Sequence, residues 1–139
     1  MTTHFLDTGF LIALEATDDQ HHASALAAWH EVHLAQARLV TTTYVFDEVT
    51  TFFNSRGHHA KAVEIGAALL NSGVITLVHV EETLFAQAWR EFVRHADKRF
   101  SLTDCVSFVV MRHRKIKTAL AFDKHFTQAG FDRVPRPVP

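Results

Sequence analysis

The chain has 139 residues, which is enough for one domain with a substantial core. Its apolar fraction of 47% and charged fraction of 21% are those of an average globular protein, and its single cysteine excludes an internal disulfide. No stretch reaches the ~20 apolar residues of a membrane span, and no signal-like segment opens the chain, so we expect a cytoplasmic protein. The formal net charge of −1 excludes a general attraction for nucleic acid, so a polyanionic ligand needs a local basic patch or a bound metal ion.

Short apolar strands alternate with helical patterns along the chain. Strands are predicted at residues 4–7, 38–42, 74–80, 118–122 and about 131–134. Helices are predicted at residues 8–14, 21–37, 43–55, 59–71, 81–95, about 101–113, and 124–128. This alternation favours an α/β fold with a parallel sheet covered on both faces. Residues 1–139 then form one domain with a proline-rich tail at residues 135–139.

Four acidic residues lie at positions that a parallel sheet would bring to its ligand-binding edge. Asp7 and Asp123 each end an apolar strand and precede a helix, and the carboxyl ends of parallel strands meet at one edge. Asp104 lies in the first turn of its helix, and Glu48 lies among apolar neighbours in the helix at residues 43–55. The turns that start these helices lie at the same edge, so we expect four carboxylates to converge on one pocket.

Four carboxylates at close range repel one another, and a divalent cation relieves the repulsion. Carboxylates and water are the oxygen ligands that Mg²⁺ and Mn²⁺ prefer, and such ions activate a water to attack a phosphodiester. The alternative is structural, because Asp often caps a helix, and Ser101 and Asp104 have nearly the spacing and residue types of a capping box. From spacing alone both interpretations stay open. Thr103, beside Asp104, is a candidate supporting hydroxyl.

The segments that carry these acids resemble one known family. They are Phe5-Leu6-Asp7-Thr8, Glu48 in the third helix, the stretch from Phe100 to Phe108, Ala121-Phe122-Asp123-Lys124-His125-Phe126, and Gly130-Phe131. In this order and spacing the chain resembles the PIN-domain nucleases, and among them the VapC-like toxins of type II toxin–antitoxin pairs. The resemblance covers nearly the whole chain.

The resemblance implies a three-layer α/β/α sandwich with a central parallel sheet of about five strands. It implies metal-dependent cleavage of RNA, with Mg²⁺ or Mn²⁺ as cofactor and a small antitoxin protein as partner. The implied catalytic and metal-binding residues are the four acids, Asp7, Glu48, Asp104 and Asp123. Thr8 is implied as a hydroxyl that supports them. Many relatives have Thr or Ser where this chain has Ala121, which removes another supporting hydroxyl.

Basic and apolar residues predict further contacts. Lys98 and Arg99 directly precede the Asp104 stretch and are the predicted substrate-binding residues, whereas the cations at residues 112–117 suit the end of a helix. The apolar helix pair at residues 43–71 predicts a surface for dimerisation or for an antitoxin peptide, and we expect a homodimer. The helix at residues 81–95 has one apolar face, formed by Leu84, Phe85, Ala88, Trp89 and Phe92.

Three other functions fit the sequence less well. A receiver-like signalling domain also binds Mg²⁺ on an α/β fold, but it needs paired acids after the first strand, and Asp7 has no acidic neighbour. A PIN fold could also serve as a nuclease in RNA processing without a toxin role, or as a binding module that has lost catalysis. A zinc site at His21-His22 or His58-His59 is disfavoured, because the lone Cys105 is predicted to be buried.

Overall fold

The computed structural model describes residues 2–137, which contain five strands and seven helices. The strands are β1 (Thr3–Leu6), β2 (Arg38–Thr42), β3 (Ile75–Val78), β4 (Thr118–Leu120) and β5 (Asp132–Val134). They form one sheet in the order β3-β2-β1-β4-β5, and every neighbouring pair is parallel. The predicted parallel sheet is confirmed, and β1 lies at its centre.

Seven helices flank the sheet. They are α1 (Thr8–Glu15), α2 (His22–Leu34), α3 (Thr43–Ser55), α4 (His59–Asn71), α5 (Glu82–Arg94), α6 (Leu102–His113) and α7 (His125–Gln128). The helix α1 packs on α2 and α3, and α3 packs on α4, whereas α6 packs on α5 and α7. The predicted α/β/α arrangement is confirmed. None of the helices between residues 2 and 137 combines the length and the apolar character that a bilayer crossing demands.

Aromatic rings fill the centre of the core. Phe5 on β1 lies 6.3 Å from Phe126 on α7 between ring centroids, and Phe108 on α6 lies 5.2 Å from Phe126. All three side chains are fully buried. Because burial of a ring of this size contributes roughly 1.5–3 kcal/mol, these contacts hold α6 and α7 firmly against the central strand.

Some helices and strands have the bounds predicted from the sequence, and others are shorter. The strand β2 and the helices α3 and α4 have their predicted bounds. The strand β3 is shorter than residues 74–80 because it pairs with β2 alone, and Val74 and His79 are exposed. The helix α2 is also shorter than predicted, because Gln36 has a φ of 55°, a left-handed backbone that ends a helix.

The helix α5 buries only part of its predicted apolar face, and its aromatic residues lie toward solvent. The exposed fractions are 43%, 50% and 38% for Phe85, Trp89 and Phe92. Leu84 and Ala88 are buried, and the third buried residue of this helix is an acid, Glu91. The Glu91 carboxylate bonds to Arg112 of α6 at 2.5 Å. The ion pair of Glu91 with Arg112 therefore lies in the contact between α5 and α6, and the aromatic residues of α5 lie outside it.

A reciprocal cap holds the start of α6. The Ser101 hydroxyl accepts a hydrogen bond from the Asp104 backbone N–H at 2.9 Å, and the Asp104 carboxylate accepts one from the Ser101 N–H at 2.9 Å. The predicted capping box is present, with Asp in the place of Glu or Gln. These bonds fix the direction of the Asp104 carboxylate in the first turn of a mostly buried helix.

Replacement of Ser101 by alanine should lower the free energy of unfolding by about 1 kcal/mol, because the Asp104 N–H loses its acceptor. Urea denaturation of Ser101→Ala measures this loss. The matched control is Ser24→Ala, because Ser24 is exposed on α2 and has no side-chain hydrogen bond within residues 2–137. The control should change the free energy by less than about 0.5 kcal/mol. Equal losses in both variants would contradict the capping role.

Candidate metal centre

The ends of β1 and β4 bring two of the predicted acids to one edge of the sheet. Asp7 comes directly after β1, and its backbone N–H donates to the carbonyl of Leu120, the last residue of β4, at 3.1 Å. Asp123 follows three residues after that strand. Because the two strands are parallel neighbours, their carboxyl ends meet and both acids lie at the same edge.

Asp104 reaches this edge from the first turn of α6. It is 8% exposed, and its Oδ2 atom lies 2.9 Å from the Ser101 N–H donor and 2.9 Å from Nδ1 of His125. In the tautomer that carries its proton on Nδ1, His125 donates this hydrogen bond to the Asp104 carboxylate. The two donors orient the carboxylate, and its Oδ1 atom has no hydrogen-bond partner in the described part of the chain.

The site includes His125, which the sequence reasoning missed. Its Nδ1 lies 3.2 Å from Oδ2 of Asp123, and its backbone N–H donates to Oδ1 of Asp123 at 2.9 Å. One ligand atom each from Asp104, Asp123 and His125 lies within 4.8 Å of the others, a spacing that can hold a metal ion. The feature of the sequence that could have indicated His125 is its place two residues after Asp123, at the start of a short helix.

Asp7 faces these acids from an enclosed position. It is 6% exposed, and burial together with the nearby charges of Asp104 and Asp123 raises the pKa of its carboxyl to about 8. Asp7 occupies the N-cap position of α1, yet its side chain makes no capping hydrogen bond. The backbone N–H groups of Thr8 and Gly9 act to lower this pKa, but burial outweighs them, and a bound cation would offset the free-energy cost of ionising Asp7.

The donor chemistry fits a hard divalent cation. The carboxylates of Asp104 and Asp123, together with the nearby Asp7, are oxygen ligands of the kind that Mg²⁺ and Mn²⁺ prefer. Zinc sites combine imidazoles with thiolates, and Cys105 is fully buried. The histidine pairs at residues 21–22 and 58–59 belong to no metal-capable group found within residues 2–137.

Glu48 lies at the margin of the site. Its side chain is exposed on α3, and its Oε1 atom accepts a hydrogen bond from the Thr8 hydroxyl at 2.7 Å. Because Thr8 directly follows Asp7, this bond ties α3 to the start of α1. Of the four acids expected to converge, Asp104 and Asp123 share the metal-capable group with His125. Asp7 lies outside that group but near enough for the charges of Asp104 and Asp123 to raise its pKa, and Glu48 connects to Asp7 through Thr8. The supporting hydroxyl that the resemblance implies at Thr8 is thus in contact with a predicted site residue.

Two other positions near the acids supply no hydroxyl contact. The side chain of Thr103 makes no hydrogen bond within residues 2–137, although its backbone carbonyl accepts one from the Ser107 hydroxyl. Ala121 is fully buried just after β4, and its N–H bonds to the carbonyl of Val134. A supporting role for Thr103 stays a prediction.

The basic residues between α5 and α6 divide into two groups. Arg94 and Arg112 both bond to the buried Glu91 carboxylate, at 2.6 Å and 2.5 Å. Arg94 lies on the same helix as Glu91, whereas Arg112 joins α6 to α5. Lys98 and Arg99 are exposed on the segment that leads to α6. Their contact with substrate stays a prediction.

The raised pKa of Asp7 predicts that the metal-free protein loses stability as the pH rises. The folded state keeps a proton on Asp7 up to about pH 8, whereas the unfolded chain releases it near about pH 4. Between these values the folded state binds more protons, so the free energy of unfolding should fall with increasing pH. Urea denaturation in EDTA at a series of pH values measures this slope.

The variant Asp7→Asn should lose most of that slope and should be more stable than wild type at pH 8. The control Asp132→Asn changes an exposed acid at the start of β5 and should keep the wild-type slope. An unchanged slope in Asp7→Asn would show that Asp7 is not the titrating group.

Known proteins share both the sequence pattern and the fold of this chain. Residues 4–132 match the family model of the PIN domain. The chain is 38% identical over 130 residues to the 23S rRNA-specific endonuclease VapC20 of Mycobacterium tuberculosis, a match that covers 94% of this chain and 96% of that protein. It is 28% identical over 124 residues to the VapC ribonuclease of Archaeoglobus fulgidus, covering 88% of this chain and 78% of that protein.

A solved structure extends the likeness to three dimensions. The crystal structure of Mycobacterium tuberculosis VapC20, described as a Sarcin-Ricin loop cleaving toxin, has a TM-score of 0.86 and 38% identity to this chain. The match covers 98% of this chain and 100% of that one. The family and the ribonuclease activity predicted from the sequence are confirmed, and the receiver-like alternative is not favoured. This chain belongs to the PIN domain family.

Proposed function

We propose that this chain is the toxin of a toxin–antitoxin pair, and that Asp7, Asp104 and Asp123 bind Mg²⁺ or Mn²⁺ for the cleavage of RNA. The observation that carries the proposal is the burial of Asp7 against two other carboxylates, with no lysine or arginine paired to any of them within residues 2–137. Such an arrangement costs folding free energy, and perturbed acids of this kind are typical of functional sites.

The chemistry follows from what these side chains can do. A divalent ion held by the carboxylates would polarise the scissile phosphodiester and lower the pKa of a bound water. Hydrogen bonds from Ser101 and His125 hold Oδ2 of Asp104, so Oδ1 is the oxygen available to a ligand. Asp7 closes the inner side of the site, and the Asp123 side chain, 40% exposed, borders the solvent from which RNA approaches.

Glu48 is proposed to act on the attacking water. The Thr8 hydroxyl holds one of its carboxylate oxygens, and the exposed position leaves the other oxygen open to solvent. A carboxylate placed in this way can orient a water and accept its proton. Glu48 would then be less important for metal binding than Asp7, Asp104 and Asp123, and it would act in catalysis through the water.

The RNA target is inferred from the relatives. VapC20 is described as specific for 23S rRNA and as cleaving the Sarcin-Ricin loop, and this chain matches it over nearly its whole length. We therefore propose an unpaired loop of ribosomal RNA as the substrate, cleaved in the cytoplasm. Lys98 and Arg99 are exposed on the segment before Asp104 and are placed to contact phosphates of this RNA.

Two surfaces suit protein partners. A groove of about 480 Å³ runs between α3 and α4 and is lined by apolar side chains that include Phe46, Val63 and Leu70. An amphipathic helix of a small antitoxin would fit such a groove. The exposed aromatic face of α5, at Trp89 and Phe92, would suit a second copy of the chain in a homodimer.

Loss of one carboxylate should strongly reduce the rate of cleavage. Asp7→Asn and Asp104→Asn should each lower kcat by at least about 100-fold, because even partners of metal ligands contribute about 10- to 100-fold. Glu48→Gln should lower kcat while its metal affinity stays near that of wild type. The measurement is the rate of cleavage of an rRNA hairpin in Mg²⁺ or Mn²⁺, followed by gel electrophoresis.

The control for these variants is Asp132→Asn, which should cleave at the wild-type rate because Asp132 starts β5 at the opposite edge of the sheet. Thermal unfolding tests whether each variant is folded. Mn²⁺ should raise the Tm of wild type and of Asp132→Asn, but not that of Asp7→Asn. Cleavage by Asp7→Asn at the wild-type rate would overturn the proposed site.

A further inference from the structure

A stacked pair of rings lies beside the metal centre and has no part in the chemistry described so far. The imidazole of His21 lies flat on the ring of Phe122, with ring centroids 4.4 Å apart and planes inclined by 9°. Phe122 directly precedes Asp123. Because His21 is exposed and Phe122 is partly buried, the imidazole forms the outer layer of the stack.

The stack continues inward, which makes it a firm support. Phe122 stacks on Phe10 with centroids 5.8 Å apart, and Phe10, fully buried, packs against Trp29 at 6.3 Å. The backbone N–H of His21 is held by Oδ1 of Asp19 at 2.8 Å. Since each ring pair contributes about 0.5–1.5 kcal/mol, the core holds Phe122 in place beneath the exposed imidazole.

The direction of α2 indicates that His21 lies at the edge of the sheet that carries Asp7 and Asp123. The helix ends at Leu34, and soon after it Arg38 starts β2, with its N–H bonded to the carbonyl of Thr2 beside the start of β1. The end of α2 therefore lies near the edge of the sheet opposite Asp7. The beginning of α2, where His21 lies, points toward the edge that carries the acids.

We propose that His21 is a stacking site for an unpaired nucleobase of the RNA substrate, at a nucleotide that neighbours the scissile phosphate. This inference rests on the proposed function. Proteins that read RNA bind unpaired bases by stacking them on aromatic side chains, among them histidine. The face of the imidazole that points away from Phe122 carries no second ring within residues 2–137, so it is available to a base.

The surroundings of His21 favour a base over other roles. Asp18 and Asp19 lie just before it, and their charges disfavour a phosphate at this position. His21 occupies the N-cap position of α2, but its side chain makes no capping hydrogen bond. The ring is therefore not used to start the helix, and contact with the neutral face of a base remains the role that its geometry suits.

Two substitutions at His21 separate stacking from structure. His21→Ala should raise the KM for the rRNA hairpin by about tenfold with little change in kcat, because a base stack of about 1.4 kcal/mol is lost. His21→Phe keeps a flat ring and should restore the KM to within about threefold of wild type. The matched control is His30→Ala, because His30 is also exposed on α2 and should leave both constants unchanged.

A second readout follows the base itself. The RNA carries 2-aminopurine next to the cleaved bond, and the protein carries Asp7→Asn so that the RNA stays intact. The fluorescence of 2-aminopurine should be quenched on binding, and adding His21→Ala should remove most of this quenching. Adding His30→Ala should not.

The outcomes separate the two proposals. A wild-type KM and full quenching in His21→Ala would overturn the stacking site and leave the ribonuclease proposal intact. Equal damage in His21→Ala and His21→Phe, with a lowered Tm, would assign His21 a structural role and overturn the stacking site as well. If wild type cleaves no RNA in Mg²⁺ or Mn²⁺, the proposed function fails first.

Discussion

The carboxyl group of Asp7 is buried near the carboxylates of Asp104 and Asp123, so ionising it costs free energy unless a cation joins the three groups. Most of the surrounding structure holds these groups together in spite of that cost. The parallel pairing of β1 with β4 sets the positions of Asp7 and Asp123, and the packing of α6 on the core brings in Asp104. In the metal-free protein this cost appears as the raised pKa of Asp7, and a divalent ion would offset it.

The structural and functional interpretations of Asp104 are compatible. One carboxylate oxygen, Oδ2, accepts the hydrogen bond from the Ser101 N–H that completes the capping box, and it also hydrogen-bonds to Nδ1 of His125. These bonds set the direction of the carboxylate. The other oxygen is left for a ligand. A residue that looks like a helix cap in the sequence can therefore be a metal ligand, because its two oxygens have separate partners.

The fold and the positions of Asp7 and Asp123 after their strands could be predicted because apolar strands, helical patterns and the acids between them are visible in the sequence. Parallel strands with an acid at the end place Asp7 and Asp123 together by topology alone. The outward aromatic face of α5 could not be predicted, because it depends on the pairing of Glu91 with Arg112 on another helix. For the same reason the contacts of His125 with Asp104, and of His21 with Phe122, appear only in three dimensions. The marginal position of Glu48 depends on how α3 packs near Thr8, which spacing along the chain does not set.

The central claim is that the clustered acids bind a divalent ion directly. Crystals soaked in Mn²⁺ and measured by anomalous diffraction test it most directly, because the signal locates the ion without any assumption about activity. We expect a Mn²⁺ peak coordinated by carboxylate oxygens of Asp7, Asp104 and Asp123, with Oδ1 as the oxygen that Asp104 contributes. A peak elsewhere on the protein, or no peak at saturating Mn²⁺, would contradict this account.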